Sequence, residues 1–541
     1  MMLNPQTKTP DDSFLEASQQ FPVRRRSMPQ TLETAEPPAV HALAKDLEKA
    51  LECLKAKNDT SRFVGLALLK PVLEMELSRQ NGTEEEGTRA VIEQCWRAIP
   101  VKFLDRLLKA KAEGKRTKEE AGSMVGLAVA VLHAFMTILD APEKDDRFVG
   151  RVPLLMPALR STPPETTTQI MQILAALATT LEGSQVVFSA RDKDDKTDQK
   201  PKSYMFVTVL LIDIRSTIPC LQEKLHSAEY PDISERIARA YDIISAFIGF
   251  LVQSLDAMDR DDEDEASLPQ FSALMPVDLL MKLRVNISEV MSLTIEHLRD
   301  RYDSSTAGAA GLHPSARTLS EGSSNRLPIA WDTSNGMSKD PLTLSQLRVL
   351  SLWLRDEESD VLRREASGIM DVFLGLYQDV TSQDFRDPVL LSLEGITEIP
   401  EGIEAFLREE GWAILAADLE NILPSPSEHA RGIEIIRVLL AVVEADVTGP
   451  AKEEWMPMVE IARQSIVHAP ETTDLEPGIA VCQLAVELLV RAPRGIRNRR
   501  RDAVVEMRKH AEALLAKANG VSGGVRDGLE EVVQGLDSLG F

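Results

Sequence analysis

Residues 42–74 read ALAKDLEKALECLKAKNDTSRFVGLALLKPVLE, and this stretch decides the fold. Its first part places four leucines on one side at helical spacing, with charged residues on the other side: Leu43, Leu47, Leu51 and Leu54. The sequence Asn58-Asp59-Thr60 then interrupts the period and offers capping oxygens for a second helix. Because neither helix can bury its apolar stripe alone, the pair must stack on another pair.

The same requirement recurs along almost the whole chain. Helical patterns return about every 20 residues and pairs about every 40, which is the spacing of HEAT or armadillo repeats. We therefore predict an all-α protein, an armadillo/HEAT-like α-solenoid of stacked helix pairs. The run Met124–Leu139 is apolar nearly all round, so we expect an inner helix covered on both sides, with His133 as a hydrogen-bonded core histidine.

The composition favours the same architecture. A chain of 541 residues is too long for one ordinary core, and 43% apolar but only 5% aromatic residues suit helix-on-helix packing rather than a sandwich or propeller. Against 61 Lys and Arg stand 85 Asp and Glu, a net charge of -24. This charge argues against non-specific binding to nucleic acid or anionic membranes, although many soluble proteins are acidic simply because charge keeps them soluble.

The cysteines and the chain start indicate a cellular compartment. Four cysteines lie far apart, without a CxxC or Cys-His cluster, so we expect reduced thiols and neither zinc nor disulfides. The first residues show no apolar segment of a secretory signal. The run Met124–Leu139 is shorter than the ~20 residues of a membrane span, so we expect no transmembrane segment. We predict a cytoplasmic protein, with the nucleus as the alternative.

Changes in periodicity divide the chain into four parts. Residues 1–38 combine Pro, Ser, Thr, Gln and charge without a period and should form a disordered N-terminal arm. Residues 303–341 are rich in Ser, Gly and Ala and should form a long flexible loop. Between and after them we expect two helical solenoid halves, residues 39–302 and 342–541.

Two basic runs are candidate interaction sites. Arg24-Arg25-Arg26 precedes Ser27, which suits a basophilic kinase; the alternatives are a weak nuclear-import signal and simple solvated charge. The densest basic run of the chain could bind an acidic partner, phosphate groups or an import receptor, or could pair with the chain's own carboxylates. It contains Arg491, Arg494, Arg497, Arg499, Arg500 and Arg501.

The sequence shows no pattern of catalytic chemistry. Phosphate loops, dinucleotide fingerprints, GxSxG, HExxH and kinase signatures do not occur in it. We therefore predict that the chain is not an enzyme, uses no cofactor or metal, and takes no small-molecule substrate.

Several blocks resemble the neurochondrin family. Residues 50–69, ALECLKAKNDTSRFVGLALL, are similar to its opening signature, in which a leucine/cysteine helix leads into an Ala-Lys-Asn-Asp turn, then Phe and a run of Leu. Three further blocks follow in the family's order: FLDRLL at 103–108, GLAVAVLHAF at 126–135 and VPLL at 152–155. The resemblance is strongest over residues 40–190 and diffuse afterwards, and it rests on packing and capping motifs, which identify kinship without marking a site.

This resemblance implies an armadillo-like, non-enzymatic protein that binds other proteins. Animal members are associated with neurite outgrowth, restraint of calcium/calmodulin-dependent kinase signalling, receptor tails and vesicle traffic. Vertebrate members use N-terminal cysteines for a lipid anchor, whereas the first cysteine here is Cys53, inside a predicted helix, so we expect no such anchor.

We therefore predict a scaffold or adaptor for other proteins. Its concave surface, built from one helix of each pair, would gather extended or helical partner segments. The alternative is a HEAT-type nuclear-transport or ribosome-assembly factor that uses the basic run from Arg491 to Arg501. An enzyme with an unrecognised site is the third hypothesis.

Overall fold

The computed structural model describes thirteen parts of the chain: residues 38–78, 86–110, 117–139, 146–159, 162–189, 201–225, 227–259, 275–304, 337–356, 359–379, 384–467, 475–517 and 523–540. Within these parts the chain forms 24 α-helices and no β-strand, which confirms the all-α prediction.

The first twelve helices precede residue 303. They are α1 Pro38–Lys55, α2 Asp59–Ser78, α3 Glu86–Ala98, α4 Val101–Lys109, α5 Lys118–Leu139, α6 Asp146–Val149, α7 Val152–Ala158, α8 Pro164–Ala178, α9 Leu181–Ser189, α10 Lys202–Leu221, α11 Tyr230–Asp259 and α12 Val277–Tyr302.

The other twelve follow residue 340. They are α13 Pro341–Asp356, α14 Asp360–Ser367, α15 Met370–Gln378, α16 Arg386–Ile396, α17 Pro400–Arg408, α18 Gly411–Ile422, α19 His429–Glu444, α20 Pro457–Val467, α21 Glu476–Arg491, α22 Arg494–Arg499, α23 Arg501–Lys517 and α24 Gly523–Ser538.

The helices stack in two layers, as a solenoid requires. In the inner layer each helix contacts the next one along the chain; its members are α2, α5, α8, α11, α13, α16, α19, α21 and α24. The outer layer covers one side of it, and each of its main helices contacts a member of the inner layer; they include α4, α7, α10, α12, α20 and α23. Repetition of one packing unit, rather than one central nucleus, therefore organises the chain.

The core is one continuous apolar zone from Leu47 to Leu539. The helical stripes of the sequence supply it: α4, for example, buries Phe103, Leu104, Leu107 and Leu108. As predicted, α5 is an inner helix, since α2 and α8 flank it and α4 covers it, but the side with His133 and Thr137 is open rather than covered.

Two helix boundaries differ from those that the apolar periodicity predicts. That periodicity predicts one helix from about Val361 to Val380, but the structure has two, because Ile369 after Gly368 has a non-helical backbone (φ -114°, ψ 29°). It also predicts two helices, Met205–Ile214 and Ile218–Leu225, where the structure has the single helix α10. Its Pro219 lies in the last turn and removes a backbone hydrogen bond only near the helix end.

The predicted arm and loop fall mainly outside the described residues. Residues 1–37 lie outside them, and Pro38 begins α1. Of the predicted loop, residues 305–336 lie outside, whereas Asp340 lies at the described start of α13. Helices α11 and α13 pack against each other across this interruption, so the core runs on from one predicted half into the other.

Among the residues that the structure describes, three helical segments are long and apolar enough to cross a membrane by length and composition alone: Lys118–Leu139, Ser203–Lys224 and Tyr230–Ser254. The first extends the apolar run Met124–Leu139 by six residues at its start. About half of the residues in each segment are buried against the rest of the protein, as packed solenoid helices require.

Candidate functional site

A groove of about 940 Å³ lies where α5, α8, α11 and α13 stand side by side in the inner layer. These helices present the side that the outer layer does not cover. The groove is therefore part of the inner face of the solenoid, which is where repeat proteins present extended binding surfaces.

Small residues on neighbouring helices create the space. On α8 they are Ala175 and Ala176, and on α11 Ala246 and Gly249. A Cβ added at Gly249 would meet no atom within 4 Å. Because these side chains are short, the backbone of a bound chain can approach the helices closely.

Hydrogen-bonding groups line the walls of the groove. They are the side chains of Thr137, Gln172, Thr179, Ser245 and Gln253. Amides and hydroxyls of this kind both donate and accept hydrogen bonds, so the walls match the alternating N–H and C=O groups of a polypeptide backbone.

The charged groups of α11 neutralise one another. The Gln172 side-chain amide donates to Glu235 Oε1 at 2.5 Å, and Arg239 lies 3.8 Å from the same carboxylate. Arg239 also donates to Asp242 Oδ2 at 3.0 Å. The α11 wall is therefore a row of charged side chains that hydrogen bonds and ion pairs hold in place.

Arg348 on α13 is the exception. It is exposed, lines the groove, and makes no ion pair with any described residue. A guanidinium presents a planar set of donors that fits a carboxylate, so Arg348 offers an anchoring point for an acidic group.

His133 is placed differently from the sequence prediction. Instead of lying in the core, it stands half-buried on the α5 wall of the groove. Burial lowers the pKa of its imidazole, with Glu235 opposing and Arg239 reinforcing the shift. The imidazole is thus held neutral and available for hydrogen bonding.

The inner face remains charged beyond the groove. Burial raises the pKa of Glu394 on α16, the nearby Glu434 of α19 raises it further, and Arg437 and Arg355 oppose the rise. Glu434 itself accepts from Arg437 at 2.8 Å. Charges of both signs therefore continue along the face.

No group of three or more His, Cys, Asp or Glu side chains that could hold a metal ion occurs among the residues that the structure describes. The groove's composition suits recognition of a polypeptide by hydrogen bonds and by the one charge of Arg348.

The predicted basic run lies at the turn that holds α22, between α21 and α23. Arg491 donates to Glu487 at 2.6 Å, and Arg499 pairs with Glu453 at 2.8 Å. Arg497 donates to the backbone carbonyls of Val490 and Ala492, both at 3.1 Å.

The remaining arginines of this run are less engaged. Arg494 and Arg501 are exposed, and Arg500 is half-buried near Glu460, whose pKa it helps to lower. The structure thus ties three members of the run to their own surroundings and leaves two facing solvent. The candidate phosphosite Ser27 lies outside the described residues.

The groove itself was not predicted residue by residue. The recurring helix pairs predict a concave surface made from one helix of each pair, but not which helical turns line it. One pattern in the sequence does indicate the groove. The small residues Ala246 and Gly249 lie on the same face of α11 as three charged residues, Glu235, Arg239 and Asp242.

Comparison with known proteins identifies the relatives of the chain. The sequence model of the Neurochondrin family matches residues 42–193 and 192–429. No curated protein matches the chain.

Three solved structures show similarity at low sequence identity. An engineered protein is 13% identical, with a TM-score of 0.45 over 91% of this chain and 99% of that one. A chain from work on a phosphorylation switch that controls the interaction between cadherin and β-catenin is 13% identical, with a TM-score of 0.37 over 91% of both chains. A circular tandem repeat protein is 11% identical, with a TM-score of 0.18 over 92% of this chain and 95% of that one.

Proposed function

Because the chain belongs to the neurochondrin family, we propose that it is a non-enzymatic scaffold whose groove holds an extended or helical segment of another protein. The observation that carries this proposal is the groove between α5, α8, α11 and α13, with its short-side-chain floor and hydrogen-bonding walls. Solenoids bind partners through long inner surfaces of this kind.

Charge specifies the partner further. Glu235 and Asp242 are engaged by Gln172 and Arg239, whereas Arg348 is exposed without an ion pair among the described residues. The bound segment therefore carries an acidic side chain opposite Arg348. A charge-assisted hydrogen bond there fixes the register of the segment in the groove.

We place this activity in the cytoplasm, where the scaffold serves signalling or vesicle traffic. Support for these roles comes from the family to which the chain belongs, whose fold is suited to holding partner proteins together.

A second candidate is a HEAT-type nuclear-transport or ribosome-assembly factor. It is supported by the exposed Arg494 and Arg501, which extend from the turn around α22. Under this candidate the two arginines contact an import receptor or RNA phosphates.

A blocked groove tests the scaffold proposal. Gly249→Trp projects an indole into the groove from a site where an added Cβ meets nothing within 4 Å. Gly524→Trp is the matched control, since Gly524 is equally open but lies in the first turn of α24.

The full-length wild type and both variants are used to recover partners from the cells that make this protein. We expect the wild type and the control Gly524→Trp to recover the same set of proteins. Gly249→Trp should fail to recover that set. Recovery of nothing above background, or of the same set on Gly249→Trp, contradicts the proposal.

A further inference from the structure

Two neighbouring helices of the outer layer expose six large apolar side chains, with fractional exposures between 38% and 68%. They are Met205, Val209 and Ile212 on α10 and Val277, Met281 and Val285 on α12. Elsewhere among the described residues, exposed large apolar side chains lie singly or in a pair on one helix. We call these six residues the apolar ridge.

Helical spacing gathers the apolar ridge on one surface. On each helix the three residues follow at intervals of three or four, so they occupy successive turns of one face. Helices α10 and α12 pack side by side, and an ion pair between Arg215 and Glu289 joins them. No described helix covers this face, and none of its six residues lines the groove.

The size of the apolar ridge fits a protein interface. Six half-exposed side chains present roughly 500 Å² of apolar surface, which equals the largest patch on an ordinary monomer. Protein interfaces are about 60% apolar. An apolar ridge of this area therefore corresponds to an interface of about 800 Å² on each partner, which is the area of a standard stable complex.

We propose that the apolar ridge is the interface of a homodimer. Charges of both signs, Asp278, Lys282 and Arg284, are exposed beside it on α12, so the rim does not repel its own copy. The net charge of -24 opposes association only at long range, and physiological salt screens charges more than about 8 Å apart.

The sequence of α12 is suited to pairing with itself. In an antiparallel contact about Met281, Val277 faces Val285 of the second copy, and Met281 faces its own equivalent. The contact is isologous, so it closes as a dimer and leaves both grooves accessible.

Sedimentation velocity of the full chain tests the proposal. The wild type should sediment at twice its mass of 59.8 kDa. Met281→Asp and Val209→Asp should each weaken the dimer by about 100-fold, as expected when a charge enters the centre of an interface. The control Val505→Asp changes an equally exposed valine on α23 and should leave the dimer intact.

The salt dependence of dimerisation distinguishes an apolar interface from an ion-paired one. Raising the salt concentration should strengthen the wild-type dimer, because it screens the net negative charge while leaving apolar burial intact. A dimer that dissociates as salt rises contradicts the proposal.

A cross-link checks the geometry without depending on destabilising variants. In a Cys220→Ser background, which removes the exposed native thiol, Met281→Cys chains should join through a short bismaleimide, and Val505→Cys chains should not. A wild type that stays monomeric up to about 100 μM overturns the proposal. A ridge that captures vesicles or another protein while the chain stays monomeric also overturns it.

Discussion

The phenol of Tyr230 donates a hydrogen bond to the carboxylate of Asp340, although the two residues lie 110 positions apart. Ser234 donates to the same carboxylate at 2.9 Å, and so does the backbone N–H of Leu342 at 3.0 Å. Arg301 Nε lies 3.8 Å from it. A single buried carboxylate thus joins α11, α12 and the start of α13, across residues 305–336, which lie outside the described residues.

Removal of this carboxylate should destabilise the protein. Asp340→Ala should lower the free energy of unfolding by about 3 kcal/mol, because the hydroxyls of Tyr230 and Ser234 and the backbone N–H of Leu342 lose their buried acceptor. Urea denaturation measures the change. Asp46→Ala, at an exposed position of α1, is the control and should change stability by less than about 0.5 kcal/mol. Equal effects of the two variants refute a role for Asp340 at this junction.

His297 lies in the same buried cluster and should make stability sensitive to acid. Burial lowers the pKa of its imidazole to about 4, although the hydrogen bond that His297 Nδ1 donates to Gln346 Oε1 and the nearby Asp340 both raise it. The unfolded chain therefore takes up a proton near pH 6.5 that the folded chain refuses until about pH 4. The stability supplied by neutral His297 is complete above pH 6.5 and is lost as the pH falls through this window.

Between pH 7 and pH 5 this loss should amount to about 2 kcal/mol. The comparison is between urea denaturation curves of the wild type and His297→Gln, which keeps a hydrogen-bonding side chain but does not titrate. His297→Gln should lose less stability on acidification by about that amount. Parallel pH profiles for the two proteins speak against the assignment.

Local patterns predicted much of this fold. Helical periodicity depends on neighbours three and four positions away. It is clear in the leucine stripe at the start of residues 42–74 and in the apolar block Phe103–Leu108, and α1 and α4 form there as expected. The lack of periodicity around Asp340 predicts a flexible loop there, whereas the structure places Asp340 at the start of α13. The dipeptide Asp340-Pro341 carries the missed signal, since Asp before a first-turn Pro is typical of a helix start.

Contacts between distant segments could not be read from these patterns. The groove requires Gly249 of α11, Ala175 of α8 and Arg348 of α13 to meet, and nothing in any one of these helices indicates the other two. His133 shows the same limit: its apolar neighbours in sequence suggested the core, whereas the open side of the inner layer places it on the groove wall.

Two glycines should respond to alanine in opposite directions. A Cβ at Gly395 of α16 would lie 2.7 Å from the carbonyl oxygen of Leu354, so Gly395→Ala should push α16 away from α13 and cost about 2 kcal/mol. Gly249→Ala meets nothing and should stabilise the protein by about 0.5–1 kcal/mol through helix propensity. Urea denaturation measures the free energy of unfolding of both variants. A Gly395→Ala variant that is as stable as the wild type contradicts the close approach of α13 and α16.

The basic run distinguishes the two proposed functions. Replacing the exposed Arg494 and Arg501 by alanine should leave the distribution of a fluorescently labelled chain between cytoplasm and nucleus unchanged. Arg491→Ala, which removes the ion pair with Glu487, is the control for a purely structural effect and should change stability by no more than about 1 kcal/mol. Nuclear accumulation that disappears only in the Arg494/Arg501 variant favours the transport or assembly factor.

Photo-crosslinking inside the native cell tests the scaffold proposal most directly. A photoreactive amino acid at Gln253, which is exposed at the groove, is compared with one at Val505 on the outer layer. Our account predicts that Gln253 crosslinks to a defined segment of another protein that contains an acidic residue, that Val505 does not, and that Gly249→Trp abolishes the crosslink. Crosslinks that are equal at both positions, or that persist in Gly249→Trp, contradict it.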